Sequence, residues 1–186
     1  MYKGLYDQFA HWFHDGKGTI YFYSDPHFAD DEMKYLRADY IGDEEQVKRI
    51  NSKIGKYDTL VILGDIGDVE WVRKLRGYKV LVMGNHDTGA SNYTPYFDEV
   101  YEGALIISEK LILSHEPINF PYAFNIHGHD HSQWFKSDNM HLNVCAELIN
   151  YTPIPLKSII ESGALKEIPN IHRETIDRAT ARKFKK

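Results

Sequence analysis

The chain has 186 residues, of which 42% are hydrophobic and 26% charged, and its formal net charge is −5. This size and composition fit a single globular domain whose core forms without a structural disulfide or metal. The acidic balance argues against a general nucleic-acid-binding protein, although carboxylates that hold divalent cations would account for part of it.

Cys145 is the single cysteine of the sequence, which excludes an intramolecular disulfide. A lone cysteine is typical of proteins in a reducing compartment, so we expect a cytoplasmic protein. The N-terminus lacks the apolar core of a signal peptide. No segment reaches the roughly 18–20 apolar residues of a membrane-spanning helix, so we expect no membrane span.

Three apolar runs in the first half predict strands that are buried on both faces. They are residues 19–23, 59–63 and 79–83. A helix with an Asp43 N-cap and a Gly55 C-cap is predicted between the first two. A shorter helix follows Asp68, which could cap that helix or contact a nearby site. This alternation of strands and helices predicts a parallel sheet.

The second half predicts further strands, beginning with a hairpin of residues 105–108 and 111–114. Residues 124–127 and 142–146 follow as strands. The simplest architecture that buries both halves is α/β, a four-layer αββα sandwich of two mixed β-sheets flanked by helices. We expect an extension packed on the core over residues 1–18, one domain over residues 19–160, and a basic tail or helix over residues 161–186.

Metal-binding side chains fall at or just beyond the ends of these strands. They are Asp25, His27, Asp65, Asn85, His86, His115, His129 and His131. Ligands bind beyond the carboxyl ends of parallel strands, so these side chains are expected to converge. Donors at i and i+2 of an extended segment point the same way, as in Asp25-Pro26-His27 and His129-Asp130-His131. Mixed Asp, Asn and His donors suit divalent ions such as Mn, Fe or Zn.

The order of these motifs resembles that of a known enzyme family. Asp25-x-His27, Gly64-Asp65, Gly84-Asn85-His86-Asp87, His115 and Gly128-His129-x-His131 are similar to the five ordered motifs of the calcineurin-like metallophosphoesterases. The similarity extends over roughly residues 20–157 and is greatest to compact bacterial and phage members.

The resemblance implies two divalent ions, with Mn as the first choice and Fe, Zn or Ni as alternatives. One ion would be held by Asp25, His27 and His131, the other by Asn85, His115 and His129, with Asp65 bridging both. A hydroxide shared by the ions would attack the phosphorus. His86 would stabilise the phosphate and protonate the leaving group, and Asp87 would orient the His86 imidazole.

The implied activity is hydrolysis of a small, nucleotide-like phosphodiester, with a phosphomonoester as the second option. One alternative is a scaffold or binding module that has lost catalysis, although such a module has no need of His86 and Asp87. Another is a nuclease that acts on long nucleic acid, which predicts a basic groove, whereas the basic residues cluster in 171–186. Compact relatives often have Phe-Gly-His where this chain has Phe28-Ala29-Asp30-Asp31. These acids disfavour polyanions unless Arg37 or the tail covers them.

Overall fold

The computed structural model describes residues 4–37, 39–132 and 137–169, together with positions 176, 178 and 180. The strands are β1 (Ile20–Tyr23), β2 (Thr59–Ile62), β3 (Tyr78–Val82), β4 (Glu99–Tyr101), β5 (Leu105–Ser108), β6 (Leu111–Leu113), β7 (Phe124–His127), β8 (His141–Asn143) and β9 (Ile154–Pro155). The α-helices are α1 (Met33–Leu36), α2 (Asp43–Lys53) and α3 (Leu156–Glu161). Short 3-10 helices span Asp7–Gly16, Val69–Lys74, Ala90–Asn92 and Ala164–Lys166.

The first sheet has the strand order β4-β3-β2-β1-β9. Strands β1 to β4 pair in parallel, and β9 pairs antiparallel with β1. Leu60 and Ile62 of β2 pack in a cluster with the buried face of α2, whereas Val61 packs in the cluster between the sheets. Both faces of β2 are therefore covered, which explains its uninterrupted apolar run.

The second sheet has the order β5-β6-β7-β8. The predicted hairpin is confirmed, because β5 and β6 pair antiparallel, with a register shift between Ile106 and Ser108. Strand β8 ends at Asn143, three residues earlier than predicted, and Cys145 then forms an isolated parallel bridge with Ser24 beyond β1. The chain after β8 therefore lies beside the chain after β1.

The architecture is α/β, with two mixed sheets and flanking helices, as predicted. The main core lies between the sheets, and a second core lies between the first sheet and α2. No helix in the described part of the chain is long and apolar enough to cross a membrane.

Two predicted helix caps are wrong. The N-cap of α2 is Gly42, and Asp43 is the first helical residue. Its carboxylate instead accepts hydrogen bonds from the Ala29 N–H at 3.0 Å and the Tyr40 hydroxyl at 2.6 Å, which ties down the preceding loop. The helix ends in an extended residue, Ile54, before Gly55 is reached. Asp68, by contrast, is a helix cap, because its side chain accepts the Glu70 N–H at 3.0 Å.

The N-terminal segment joins the edges of the two sheets. The backbone N–H of Tyr6 donates to the carbonyl of Ile107 on β5 at 2.9 Å. The fully buried Trp12 donates through Nε1 to Glu99 on β4, also at 2.9 Å. Residues 6–12 therefore cover the side of the sandwich where β4 and β5 are edge strands.

The predicted domain boundaries stay predictions. At the C-terminal end, Leu165 and Ile168 are buried in the main core. The predicted basic tail lies mostly outside the described residues.

Replacing Glu99 with glutamine is expected to destabilise the fold. Burial raises the pKa of Glu99, but hydrogen bonds from Tyr101, His11, Trp12 and Tyr78 outweigh it, so the pKa lies below its ordinary value of 4.5. Glu99→Gln weakens these bonds and should lower the free energy of unfolding by about 1–3 kcal/mol at neutral pH.

Denaturant titration would measure this loss, with the exposed neighbour Glu102→Gln as the control. Since the folded pKa is lowered, the contribution of Glu99 is complete above pH 4.5 and disappears as the pH falls through the folded value. An equal loss in both variants, or a loss that does not shrink in acid, would contradict this account.

Candidate metal centre

Two groups of potential metal ligands meet where the strands of both sheets end. The first group is Asp25, His27 and His131, and the second is Asp65, His115 and His129. Within each group the ligand atoms all lie within 4.8 Å of one another. Asn85 joins the second group, because its Oδ1 lies 2.8 Å from His115 Nε2 and 3.0 Å from His129 Nδ1. The structure thus brings together all seven predicted ligands.

Asp65 lies between the two groups. Its Oδ2 is 3.7 Å from His27 Nε2 in the first group and 3.4 Å from His115 Nε2 in the second. The other oxygen, Oδ1, accepts the backbone N–H of His86 at 3.0 Å. One carboxylate oxygen therefore lies near a histidine nitrogen of each group.

The ligand atoms of the first group fit a divalent cation. Asp25 Oδ1 and His27 Nε2 are buried and have no hydrogen-bond partner among the described residues. Buried polar atoms without a partner are costly, and a bound cation would satisfy both. Burial lowers the pKa of His27, so its ring is neutral near pH 7 and has a lone pair for an ion.

Neighbouring groups fix the orientation of the remaining ligands. His115 Nδ1 lies 2.8 Å from the carbonyl of Leu63, to which it donates, so Nε2 is left to face Asn85 and Asp65. Burial lowers the pKa of His115, but the hydrogen bond to Asp65 and nearby carboxylates outweigh it and raise the pKa to about 9. The carboxylates of Asp25 and Asp65 that contribute to this rise would also favour a cation at the centre.

Asp25 is held through its second oxygen. Oδ2 accepts the backbone N–H of His129 at 2.9 Å and the thiol of Cys145 at 3.1 Å. Burial raises the pKa of Cys145, so the thiol stays protonated and donates. Oδ1 is thereby left for an ion.

Two residues that sequence reasoning did not assign support His131. Glu147 Oε1 accepts from His131 Nδ1 at 2.6 Å, which turns Nε2 towards Asp25 Oδ1 at 3.5 Å. Arg37 donates to the Asp25 carbonyl at 3.2 Å, and its Nη1 lies 3.4 Å from Glu147 Oε2. Glu147 lies shortly after β8, just as the predicted ligands lie after other strands, so its position in the sequence could have indicated a place at the centre. Arg37 is on a separate segment, and no spacing connects it to His131.

Asp87 holds the backbone of two neighbouring loops. Its Oδ2 accepts the N–H groups of Asp65 at 2.9 Å and Gly84 at 2.8 Å, and its Oδ1 accepts that of Ile66 at 3.1 Å. Both oxygens thus accept backbone N–H groups, and Asp87 fixes the loop that carries Asp65. The orientation of the His86 imidazole by Asp87 stays a prediction. The His86 side chain is exposed, with its ring centroid 5.6 Å from that of His27.

The backbone at the centre is strained. Asp25, His27, Asp65 and His129 have φ values of 55°, 44°, 55° and 68°. Residues other than glycine seldom adopt this left-handed region, and such strain is concentrated at functional sites. Gly128 permits close packing here, since a Cβ atom would lie 1.9 Å from Ser24 Oγ and 2.2 Å from Asp25 Oδ2.

Glu147→Gln should weaken binding of one ion more than the other. Glutamine preserves the shape but loses the charge that orients His131, and such changes typically reduce metal affinity about 10–100-fold. We expect Mn²⁺ titration by calorimetry to show one weakened site and one nearly unchanged site. Glu161→Gln, at an exposed position of α3, is the control. An equal weakening of both sites would contradict the assignment of His131 to one ion.

Gly128→Ala should displace Asp25 and destabilise the protein. The added methyl group overlaps Ser24 and Asp25, which typically costs about 1–3 kcal/mol, and the shift should weaken Mn²⁺ binding. Thermal unfolding and Mn²⁺ titration measure the two effects. Gly103→Ala is the matched control, because a methyl group there would meet no described residue within 4 Å beyond its two chain neighbours. Normal binding by Gly128→Ala would show that this close packing is not required.

Comparisons with known proteins agree with this geometry. A family model described as calcineurin-like phosphoesterase matches residues 18–178. An uncharacterized protein of Methanocaldococcus jannaschii is 28% identical over 166 residues, which cover 76% of this chain and 89% of that protein. A crystal structure of a protein of unknown function from Aquifex aeolicus matches with a TM-score of 0.66 and 26% identity, over 77% of this chain and 98% of that chain.

A Pseudomonas putida nuclease matches with a TM-score of 0.45 and 23% identity, over 60% of this chain and 61% of that one, which is too distant to carry an argument. The family model, in contrast, spans most of the sequence and includes every residue of the centre. The chain therefore belongs to the calcineurin-like phosphoesterase family.

Proposed function

We propose that this protein hydrolyses a phosphodiester of a small, nucleotide-like substrate with the help of two divalent ions. Family membership and the two candidate ion sites support a metal-dependent phosphoesterase. The preference for a diester, the choice of Mn²⁺ and the roles of individual residues are parts of the proposal.

The position of Asp65 Oδ2 between His27 and His115 is the observation that carries the proposal. It gives two adjacent ion sites a shared ligand. When bound, such an ion pair supplies a water of lowered pKa and neutralises phosphate oxygens. Oxygen donors from Asp and Asn combined with imidazoles suit Mn²⁺, and Fe, Zn and Ni are alternatives.

The side chains around the ions have separate tasks. His86 is exposed next to the first group and can donate a hydrogen bond or proton to an ester oxygen. Asp87 keeps Asp65 in place through the backbone. Cys145 is the single cysteine of the sequence and is a buried free thiol, which supports a reducing, cytoplasmic setting.

Two cavities beside the centre support a diester. One, of about 440 Å³, reaches the centre at His131. The other, of about 320 Å³, reaches it at Asn85 and His115. Among the described residues, no lining residue is common to the two cavities. A phosphodiester carries two organic groups and can use both cavities, whereas a monoester carries one.

The test is hydrolysis of bis(4-nitrophenyl) phosphate and 4-nitrophenyl phosphate by chelator-stripped and Mn²⁺-reconstituted protein. Turnover should require metal and be faster for the diester. Asp65→Asn should lose ion binding and activity. His86→Ala should bind two ions yet lose about 10²–10⁴-fold in kcat.

Asp7→Asn, an exposed carboxylate of the N-terminal 3-10 helix, is the control for nonspecific charge effects. If the protein binds two ions but hydrolyses neither ester, the scaffold alternative is favoured. Faster turnover of the monoester would sink the diester preference.

A further inference from the structure

The cavity that reaches His131 has apolar walls beside the metal centre. Met33 and Leu36 of α1 line one part of it and Leu148 another. Its volume of about 440 Å³ is in the range of small-molecule sites. Because His131 belongs to both the cavity and the first ligand group, a group in this cavity is next to a phosphate held at the centre.

Leu36 leaves apolar surface uncovered in this place. It is 69% exposed, and the adjacent Tyr35 is 89% exposed. Covering apolar surface gains about 25 cal/mol per Å². An organic group that enters the cavity from the centre would cover Leu36.

The charges around the cavity disfavour a second anion. Arg37 is the single Lys or Arg among the described residues that line it. Its Nη2 donates to the Asp25 carbonyl and its Nη1 lies 3.4 Å from Glu147 Oε2, while Nε and Nη1 are buried without a hydrogen-bond partner among the described residues. Asp39, which also lines the cavity, is exposed. An anionic group would therefore meet the exposed Asp39 carboxylate, and the described lining residues offer it no exposed cation, because Arg37 is buried.

We infer that this cavity binds one organic group of the ester and selects a group without negative charge. This inference rests on the proposed phosphodiesterase function. The expected substrate is a diester in which the phosphate at the centre is the single anionic group. The group that enters the cavity is then a nucleoside or another neutral alcohol.

A pair of chromogenic diesters tests the selection. The 4-nitrophenyl ester of thymidine 5′-phosphate has a neutral nucleoside, and the same compound with a 3′-phosphate differs by the added anion alone. With Mn²⁺-reconstituted protein at 0.15 M salt, kcat/KM should be at least about tenfold higher for the neutral compound. Leu36→Ser should raise KM for the neutral compound about threefold or more with kcat unchanged.

Charge reversal at the cavity provides the sharper test. Asp39→Lys should raise kcat/KM of the 3′-phosphorylated compound, so that the ratio of kcat/KM values in favour of the neutral compound falls by about two- to fivefold or more. Glu32→Lys makes the same change at an exposed position that does not line the cavity, and should narrow it less.

The two proposals fail on different outcomes. Metal-dependent turnover without a preference for the neutral compound would overturn the cavity assignment and leave the phosphodiesterase function intact. The same holds if Asp39→Lys and Glu32→Lys change this preference equally. If neither bis(4-nitrophenyl) phosphate nor either thymidine compound is hydrolysed in the presence of metal, the proposed function is overturned, and this inference with it.

Discussion

The oxygens of Asp87 accept three backbone N–H groups, so that one carboxylate joins the loops that follow β2 and β3. The loop after β1 is attached in turn, since the N–H groups of Asp25 and His27 donate to the carbonyls of Gly64 and Asp65 at 3.1 and 3.0 Å. The second sheet joins through the hydrogen bond from His129 to Asp25. The ligand positions therefore depend on a connected series of backbone hydrogen bonds.

These hydrogen bonds also sustain an unfavourable backbone. Four ligand residues have a positive φ, at a cost of about 1–3 kcal/mol each. Strain of this size persists where surrounding contacts determine the conformation, and here the two flanking sheets share a buried hydrophobic core. The negative potential that raises the pKa of His115 and His131 against burial is a second cost, and it is the feature that attracts cations.

The fold class and the convergence of the ligands could be predicted because both follow from strand order. Apolar runs marked the strands, and Asp65, Asn85 and His115 each followed one. The role of Asp87 could not be predicted in this way, since a carboxylate beside a histidine has the same sequence whether it binds the ring or the backbone. The α2 caps failed because tertiary contacts of Asp43 with the preceding loop outweighed its local capping preference.

Arg37 connects the assembly of the centre with its selectivity. A guanidinium near a phosphate site commonly binds phosphate in a bidentate manner, but here it pairs with Glu147 and supports the backbone of Asp25. In the proposed function, neutralisation of the substrate phosphate would thereby be left to the divalent ions. The same arrangement leaves the cavity beside His131 without a free cation among its described residues. Since the ions can neutralise charge only where they are bound, an anionic group placed farther along the substrate would remain uncompensated in that cavity.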